Sequence, residues 1–221
     1  MSHARQTASA AVTTSSFGGN GLDIVNAVTV DAAGNLFIAR RTSSRDLPGV
    51  DRAYQRQLYG WQGPDGFFGP TDAFVAKLDP GDRVVWSTYL GGNDARLSRF
   101  GRPIEEVRAI AVDAAGNVYV AGITGSTNFP TVNAFQPSAL STGTGASDGF
   151  VAKLNATGSE MLFSTYVGGS DASSSVDAIA LGPDGDVWIA AQSAAVGSES
   201  TVSPSAHTTG VSGSAPTTVS R

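Results

Sequence analysis

The chain states nearly the same thing twice. Asp72-Ala73-Phe74-Val75-Ala76-Lys77-Leu78-Asp79 returns as Asp148-Gly149-Phe150-Val151-Ala152-Lys153-Leu154-Asn155. Ser87-Thr88-Tyr89-Leu90-Gly91-Gly92 returns as Ser164-Thr165-Tyr166-Val167-Gly168-Gly169. Ala109-Ile110-Ala111-Val112-Asp113-Ala114-Ala115-Gly116-Asn117 has an earlier copy at 27–35 and a looser later one at 178–186. The copies lie about 80 residues apart, which means one supersecondary unit repeated several times. That constrains architecture far more than it constrains chemistry.

Within a unit, four short apolar stretches follow in fixed order, best defined at 107–112, 118–123, 150–154 and 161–167. They are rich in Val, Ile, Phe, Tyr and Thr and are bounded by Gly, Asp, Asn or Pro, the signature of strands. None carries a helical i, i+3, i+4, i+7 stripe. The turns at 31–35 and 113–117 place Gly where a hairpin wants φ > 0. Asp79-Pro80-Gly81-Asp82 does the same for the next strand pair. Tight hairpins make neighbours antiparallel, so the unit reads as a four-stranded up-and-down sheet. Its strands are apolar on both faces, whereas a sheet with one wet face would alternate apolar with polar. Such sheets pack on each other, and repeated four-stranded sheets stacked around an axis make a β-propeller.

The blocks also resemble a known family. Asp72 to Asp79, Trp86 to Gly92, Ile110 to Val120 and the degraded Thr124-Gly125-Ser126-Thr127-Asn128-Phe129-Pro130 follow, in order, the pattern of the SBBP (seven-bladed β-propeller) repeats of bacterial proteins. Thr42-Ser43-Ser44-Arg45-Asp46-Leu47-Pro48 is a second degraded copy of the last piece. The third copy, Leu181 to Ile189, is also similar to NHL and regulator-type propeller repeats. The resemblance covers roughly 17–191 and implies an extracellular or cell-surface setting. It brings no catalytic residues. Related propellers place the Ile-Ala-Val-Asp strand innermost and the Ser-Thr-Tyr strand outermost.

The expected fold is therefore all-β: a partial β-propeller of four-stranded antiparallel blades, about two and a half of them. Blades are expected at 25–90 and 107–167, with an incomplete one at 176–191. A flexible N-terminal segment at 1–16 and a flexible Ser/Thr/Ala/Gly-rich tail at 192–221 flank them. A propeller needs four to eight blades. The faces at either end are thus expected to lie open. They would be completed by missing sequence or by other copies, or left as an open stack. A fragment is the expected explanation, because the third blade breaks off mid-unit.

Composition narrows function by exclusion. Of 221 residues only 15% are charged, and the net charge is −5, which argues against a phosphate-backbone binder and so against nucleic acid as a partner. There are no cysteines, which removes disulfides, thiolate metal sites and cysteine nucleophiles. No apolar run reaches membrane-spanning length, and residues 1–16 contain no signal-peptide h-region. The two histidines, His3 and His207, lie in the frayed start and the polar tail. No catalytic residue, cofactor or metal site is expected. The Asp-x-x-Gly-Asn turns read as turn caps rather than calcium loops. Asp94 and Asp171 are the more tempting oxygen ligands, with nothing converging on them.

Strand alternation sends every long connection to one end of the sheets, and function commonly sits on loops held by a rigid scaffold. The connection at 41–72 is the most distinctive. Its Ala53-Tyr54-Gln55 matches Ala134-Phe135-Gln136, and these aromatics, with Leu47 and Phe129, are expected to plug the space between blades. The insert at 56–70 has no counterpart. Tyr59, Trp61, Phe67 and Phe68 there make either an aromatic platform for a glycan or partner protein, or a loop folded on itself. The 93–106 connection carries Arg96, Arg99, Arg102, Glu105 and Glu106, read as a solvated mixed-charge loop that an acidic ligand could engage. The expected function is a non-enzymatic propeller scaffold or binding module in a larger bacterial surface or secreted protein. The alternatives are an oligomeric carbohydrate- or protein-binding propeller using the 56–70 aromatics, and a carboxylate-dependent propeller enzyme. Expected partners are further propeller blades, of the same protein or other copies.

Overall fold

The computed structural model describes residues 16–60, 71–94, 105–141, 145–170 and 173–193, with strand backbone at 206–210 and 218–219. All regular structure among these is β. The first sheet holds β1 (Asp23–Val30), β2 (Leu36–Thr42), β3 (Asp72–Leu78) and β4 (Val84–Leu90), in that spatial order. The second repeats it with β5 (Glu105–Val112), β6 (Val118–Thr124), β7 (Asp148–Leu154) and β8 (Met161–Val167). Both are antiparallel throughout. Their irregularities coincide: β1 slips between Val25 and Ala27, and β5 slips at the matching Val107 and Ala109. A shared bulge at one repeat position is a built feature of the unit.

The third sheet departs from this plan. β9 (Ser174–Leu181) and β10 (Val187–Ser193) follow the repeat, but β11 (Ala206–Gly210) joins β10 in parallel, and β12 (Thr218–Val219) follows it. The sequence placed no strand after 191, so β11 and β12 are a correction. The unpaired edge of β10 attracts β11.

The two-faced strands divide their side chains cleanly. Ala27, Phe37, Ala39, Ala73, Val75 and Leu90 of the first sheet meet Val118, Val120, Phe150, Ala152, Leu154 and Tyr166 of the second in one core. Ala121, Val151 and Val167 leave the second sheet on its other face and meet Val176 and Ile189 of the third. Sheet therefore stacks on sheet, with β1, β5 and β9 side by side. Residues of these three strands line a common groove of about 270 Å³. None of the described sheets closes into a barrel. This is the partial propeller that the repeats implied.

The first sheet's outer face is less open than expected. Leu47, Leu58 and Phe17 roof Phe74, Ala76, Leu78 and Tyr89 there. Phe17 stacks on Phe74 at 5.3 Å. The β1 border is bare, with Val28 60% and Val30 57% exposed.

The hairpins at 31–35 and 113–117 share one construction, whereas at 79–83 Asp82, not the expected Gly81, takes the left-handed conformation at φ 63°. Asp31 Oδ1 accepts from the Ala33 and Asn35 amides, and its Oδ2 accepts from Asn35 Nδ2 at 2.7 Å. Asp113 repeats all three bonds with Ala115 and Asn117. Gly34 and Gly116, both at φ 83°, supply the left-handed residue. Lys77 reaches Asp31 at 3.9 Å and lies over the Phe37 ring, and Lys153 reaches Asp113 at 3.6 Å and lies over Tyr119. These carboxylates are occupied in holding turns, as the turn-cap reading has it.

Candidate functional face

The opposite end carries the long connections, and the repeat fastens them with three devices. The first is a glutamine. The backbone amide of Gln55 donates to Thr88 Oγ1 and its carbonyl accepts from the Tyr89 amide. Its side-chain oxygen accepts from the Gly91 amide at 3.1 Å. Gln136 makes the same three bonds to Thr165, Tyr166 and Gly168. The second is a buried tyrosine. Tyr89 Oη donates to the Ser44 carbonyl at 2.8 Å and accepts from the Leu47 amide at 3.2 Å. Tyr166 Oη repeats this with Ser126 and Phe129. Burial is the main reason that both phenols sit above their usual range.

The third device is a carboxylate at the start of a strand. Asp23 accepts from the Thr42 and Ser44 hydroxyls. Glu105 stands at the same position of the second sheet and accepts from Thr124 at 3.0 Å and from Ser126. The degraded Thr-x-Ser motif thus supplies the hydroxyl pair for each. Asp72 opens β3 and accepts from Gln55 Nε2 at 2.8 Å and the Tyr59 amide at 2.7 Å. Asp148 opens β7 and accepts from Ser141 and the Leu140 amide.

Two of these acids are unusual. Asp72 and Glu105 are almost wholly buried, and one oxygen of each, Asp72 Oδ1 and Glu105 Oε2, has no hydrogen-bond partner among the described residues. Burial pushes the Asp72 carboxyl up to about 7 against the bonds from Tyr59 and Gln55. Burial pushes Glu105 up to about 8, and the neighbouring Asp72 charge adds to the rise. Near neutral pH Glu105 therefore mostly keeps its proton and Asp72 shares its own between the two forms, where an ordinary carboxyl would be fully ionised. Sequence reading set Glu105 and Glu106 in a solvated loop, and the structure corrects this. Both lie on β5, which begins at Glu105. Glu106 takes Arg40 at 3.4 Å, Arg41 at 3.9 Å and Arg108 at 3.4 Å, so it ties the first sheet to the second.

The expected aromatic plugs divide. Leu47 and Phe129 are buried, and Tyr54 packs against the inter-sheet core with its amide on the Gly158 carbonyl. Phe135, the counterpart of Tyr54, is 37% exposed, which corrects the reading for that residue. Tyr54 is met by the β7–β8 hairpin of the next sheet, and no described hairpin of the third sheet stands at that place for Phe135. Asp94 accepts from Thr127 and the Asn128 amide, so it closes a loop rather than facing a ligand.

Of the speculative binding residues, only Tyr59 is described. It is 51% exposed. It borders a groove of about 310 Å³ between the first two sheets, with Tyr54, Gln55, Gly91, Gly92, Asn93, Asn128 and Pro130. Trp61, Phe67, Phe68, Arg96 and Arg99 lie outside the described residues. Among the described residues, no three acidic or histidine side chains converge as a metal site would require. No described helix is long and apolar enough to cross a membrane.

No curated protein matches this chain. A family model described as SBBP, beta-propeller repeat, matches residues 85–130. That window runs from β4 through β5 and β6 to Pro130, which takes in Glu105, its two hydroxyl partners and the plug Phe129. Over residues 85–130 the chain therefore bears the SBBP β-propeller repeat.

Proposed function

We propose that the chain is a non-enzymatic scaffold or binding module, working in a larger bacterial surface or secreted assembly. The observation that carries this reading is the use made of the acids at the long-connection end. Asp23, Asp72, Glu105 and Asp148 are each engaged by hydroxyls or amides of the chain's own connections. Groups so engaged, and in two cases raised in pKa by burial, serve as fasteners for a platform of loops. An enzyme needs acids within reach of a substrate.

The second reading is a glycan- or protein-binding propeller. It is favoured by exposed Tyr59 beside the inter-sheet groove, where an aromatic face and amide groups suit a sugar ring. A glycan array, followed by calorimetric titration of any hit, separates the two. The scaffold reading expects no saturable glycan binding. Binding abolished by Tyr59→Ala with Trp61→Ala would establish the second reading. Turnover of a glycan, lost in Asp72→Asn, would refute both.

A further inference from the structure

The segment ahead of β1 is itself a piece of the repeat. Phe17-Gly18-Gly19-Asn20 matches Leu90-Gly91-Gly92-Asn93, the end of β4 and its exit. The structure seats both segments alike. The Asn20 amide donates to Asp46 Oδ1 at 2.8 Å, and the Asn93 amide donates to the corresponding Asn128 Oδ1 at 3.1 Å. Phe17 stacks on Phe74, while Leu90 shares a core with Phe150, the repeat mate of Phe74. The chain thus enters its first blade with a segment seated on that blade as the end of β4 is seated on the next.

The border of β1 points to a missing neighbour. Val28 and Val30 correspond to Ile110 and Val112 of β5, and these pack against the first sheet's core. In β9 the matching Ile179 packs against the second sheet's core. The opposite end of the stack shows the complementary deficit. Ala27 is buried under β5, but its third-sheet mate Ala178 is exposed, as is Ala180. Among the described residues, the third sheet's fourth-strand position holds the two-residue β12.

We propose that the β1 border receives the third sheet of a second copy of this chain. The contact is head to tail and continues the interface already made twice within the chain. Phe17-Gly18-Gly19-Asn20 of the receiving copy then contributes the fourth-strand end of the incoming blade. The charges agree with this. Within the chain, Arg108 meets Asp177 across the second junction, at the position that Asn26 holds in β1. Between copies, Asp177 would meet Asn26, an amide against a carboxylate, so no like charges face each other at that position. Because the two surfaces differ, the contact is heterologous and closes a ring only if the rotation permits.

This inference rests on the propeller reading, and sedimentation velocity with far-UV circular dichroism tests the two separately. The full chain should form a discrete oligomer that dissociates on dilution. Val28→Asp with Val30→Asp should give monomers with an unchanged β spectrum, and so should Ala178→Arg. Mixing those two monomeric variants should yield a one-to-one dimer and nothing larger, since each retains one good surface. A wild-type chain that stays monomeric with a β spectrum at high concentration would overturn the inference while leaving the blades intact. So would an oligomer that survives both sets of substitutions, or blocked variants that fail to combine. Loss of the β spectrum in the wild type would instead count against the propeller itself.

Discussion

Raising the pH across neutrality should loosen this fold, and the cause is the pair of buried acids. Burial, the chief cause for both, pushes Asp72 from the ordinary 3.8 up to about 7 and Glu105 from 4.5 up to about 8. A carboxyl whose folded pKa is raised binds its proton more tightly folded than unfolded. Its contribution is fully present below the unfolded value and is lost as pH climbs through the folded one. At about 1.4 kcal/mol per unit, ionising either acid inside the fold costs on the order of 4 kcal/mol. That is a large share of the 5–15 kcal/mol that typically holds a domain. Asp31, Asp79 and Asp113 act in the opposite sense. Hydrogen bonds hold them below their usual value, led by Asn35 for Asp31 and the Arg83 amide for Asp79. Asp113 is lowered against its own burial by Asn117, Lys153 and Ala115. Their stabilisation disappears as pH falls below about 4. Urea unfolding followed by tryptophan fluorescence should therefore give midpoints that peak near pH 4, fall steadily to about pH 8 and level off above it. Glu105→Gln should flatten that alkaline fall. It should also cost about 1–3 kcal/mol at pH 5, because an amide nitrogen would replace the unpartnered Oε2. Midpoints that are level or rising from pH 5 to 9 would refute the argument, as would a fall that survives in Glu105→Gln, Asp72→Asn.

Equivalent positions should respond equally. Tyr89→Phe and Tyr166→Phe each strand a buried carbonyl and amide, so each should lose about 1–3 kcal/mol in denaturant titrations, matched within experimental scatter. Trp86 is 6% exposed, donates to the Ala156 carbonyl at 3.1 Å and packs on Gly158 of the next sheet. Trp86→Ala should cost about 3–5 kcal/mol by calorimetry, since it empties the junction between blades. A Cβ at Gly122 would overlap the Glu106 carbonyl oxygen, whereas one at Gly185 meets nothing within 4 Å. Gly122→Ala should therefore unfold the chain or shift the β5–β6 pairing. Gly185→Ala should cost only the ~1–2 kcal/mol of its left-handed backbone, read from melting curves.

The strands, hairpins and stacking were legible in the sequence because they depend on local pattern. Two-faced apolar runs and Asp-x-x-Gly-Asn turns carry their own explanation, and duplication allows each to be checked against its copy. Glu105 was hidden because its repeat mates are Asp23 and Ser174, so the position changes residue type between copies. It also sits beside Arg96, Arg99 and Arg102, where charge reads as solvent. What makes it a buried fastener is the pair Thr124 and Ser126, brought to it by strand pairing across the β5–β6 hairpin. The Phe17 segment escaped notice because Ser16 stands where the other copies have Tyr89 and Tyr166. The parallel β11 has no sequence pattern behind it at all: it answers to the free edge of β10, a property of the assembled sheet. The same distinction explains why the fold outruns the function here. Duplication writes the interface between blades twice over, between the first and second sheets and between the second and third. The connections that would carry specificity are where the copies stop resembling one another, so each must be read from its own contacts.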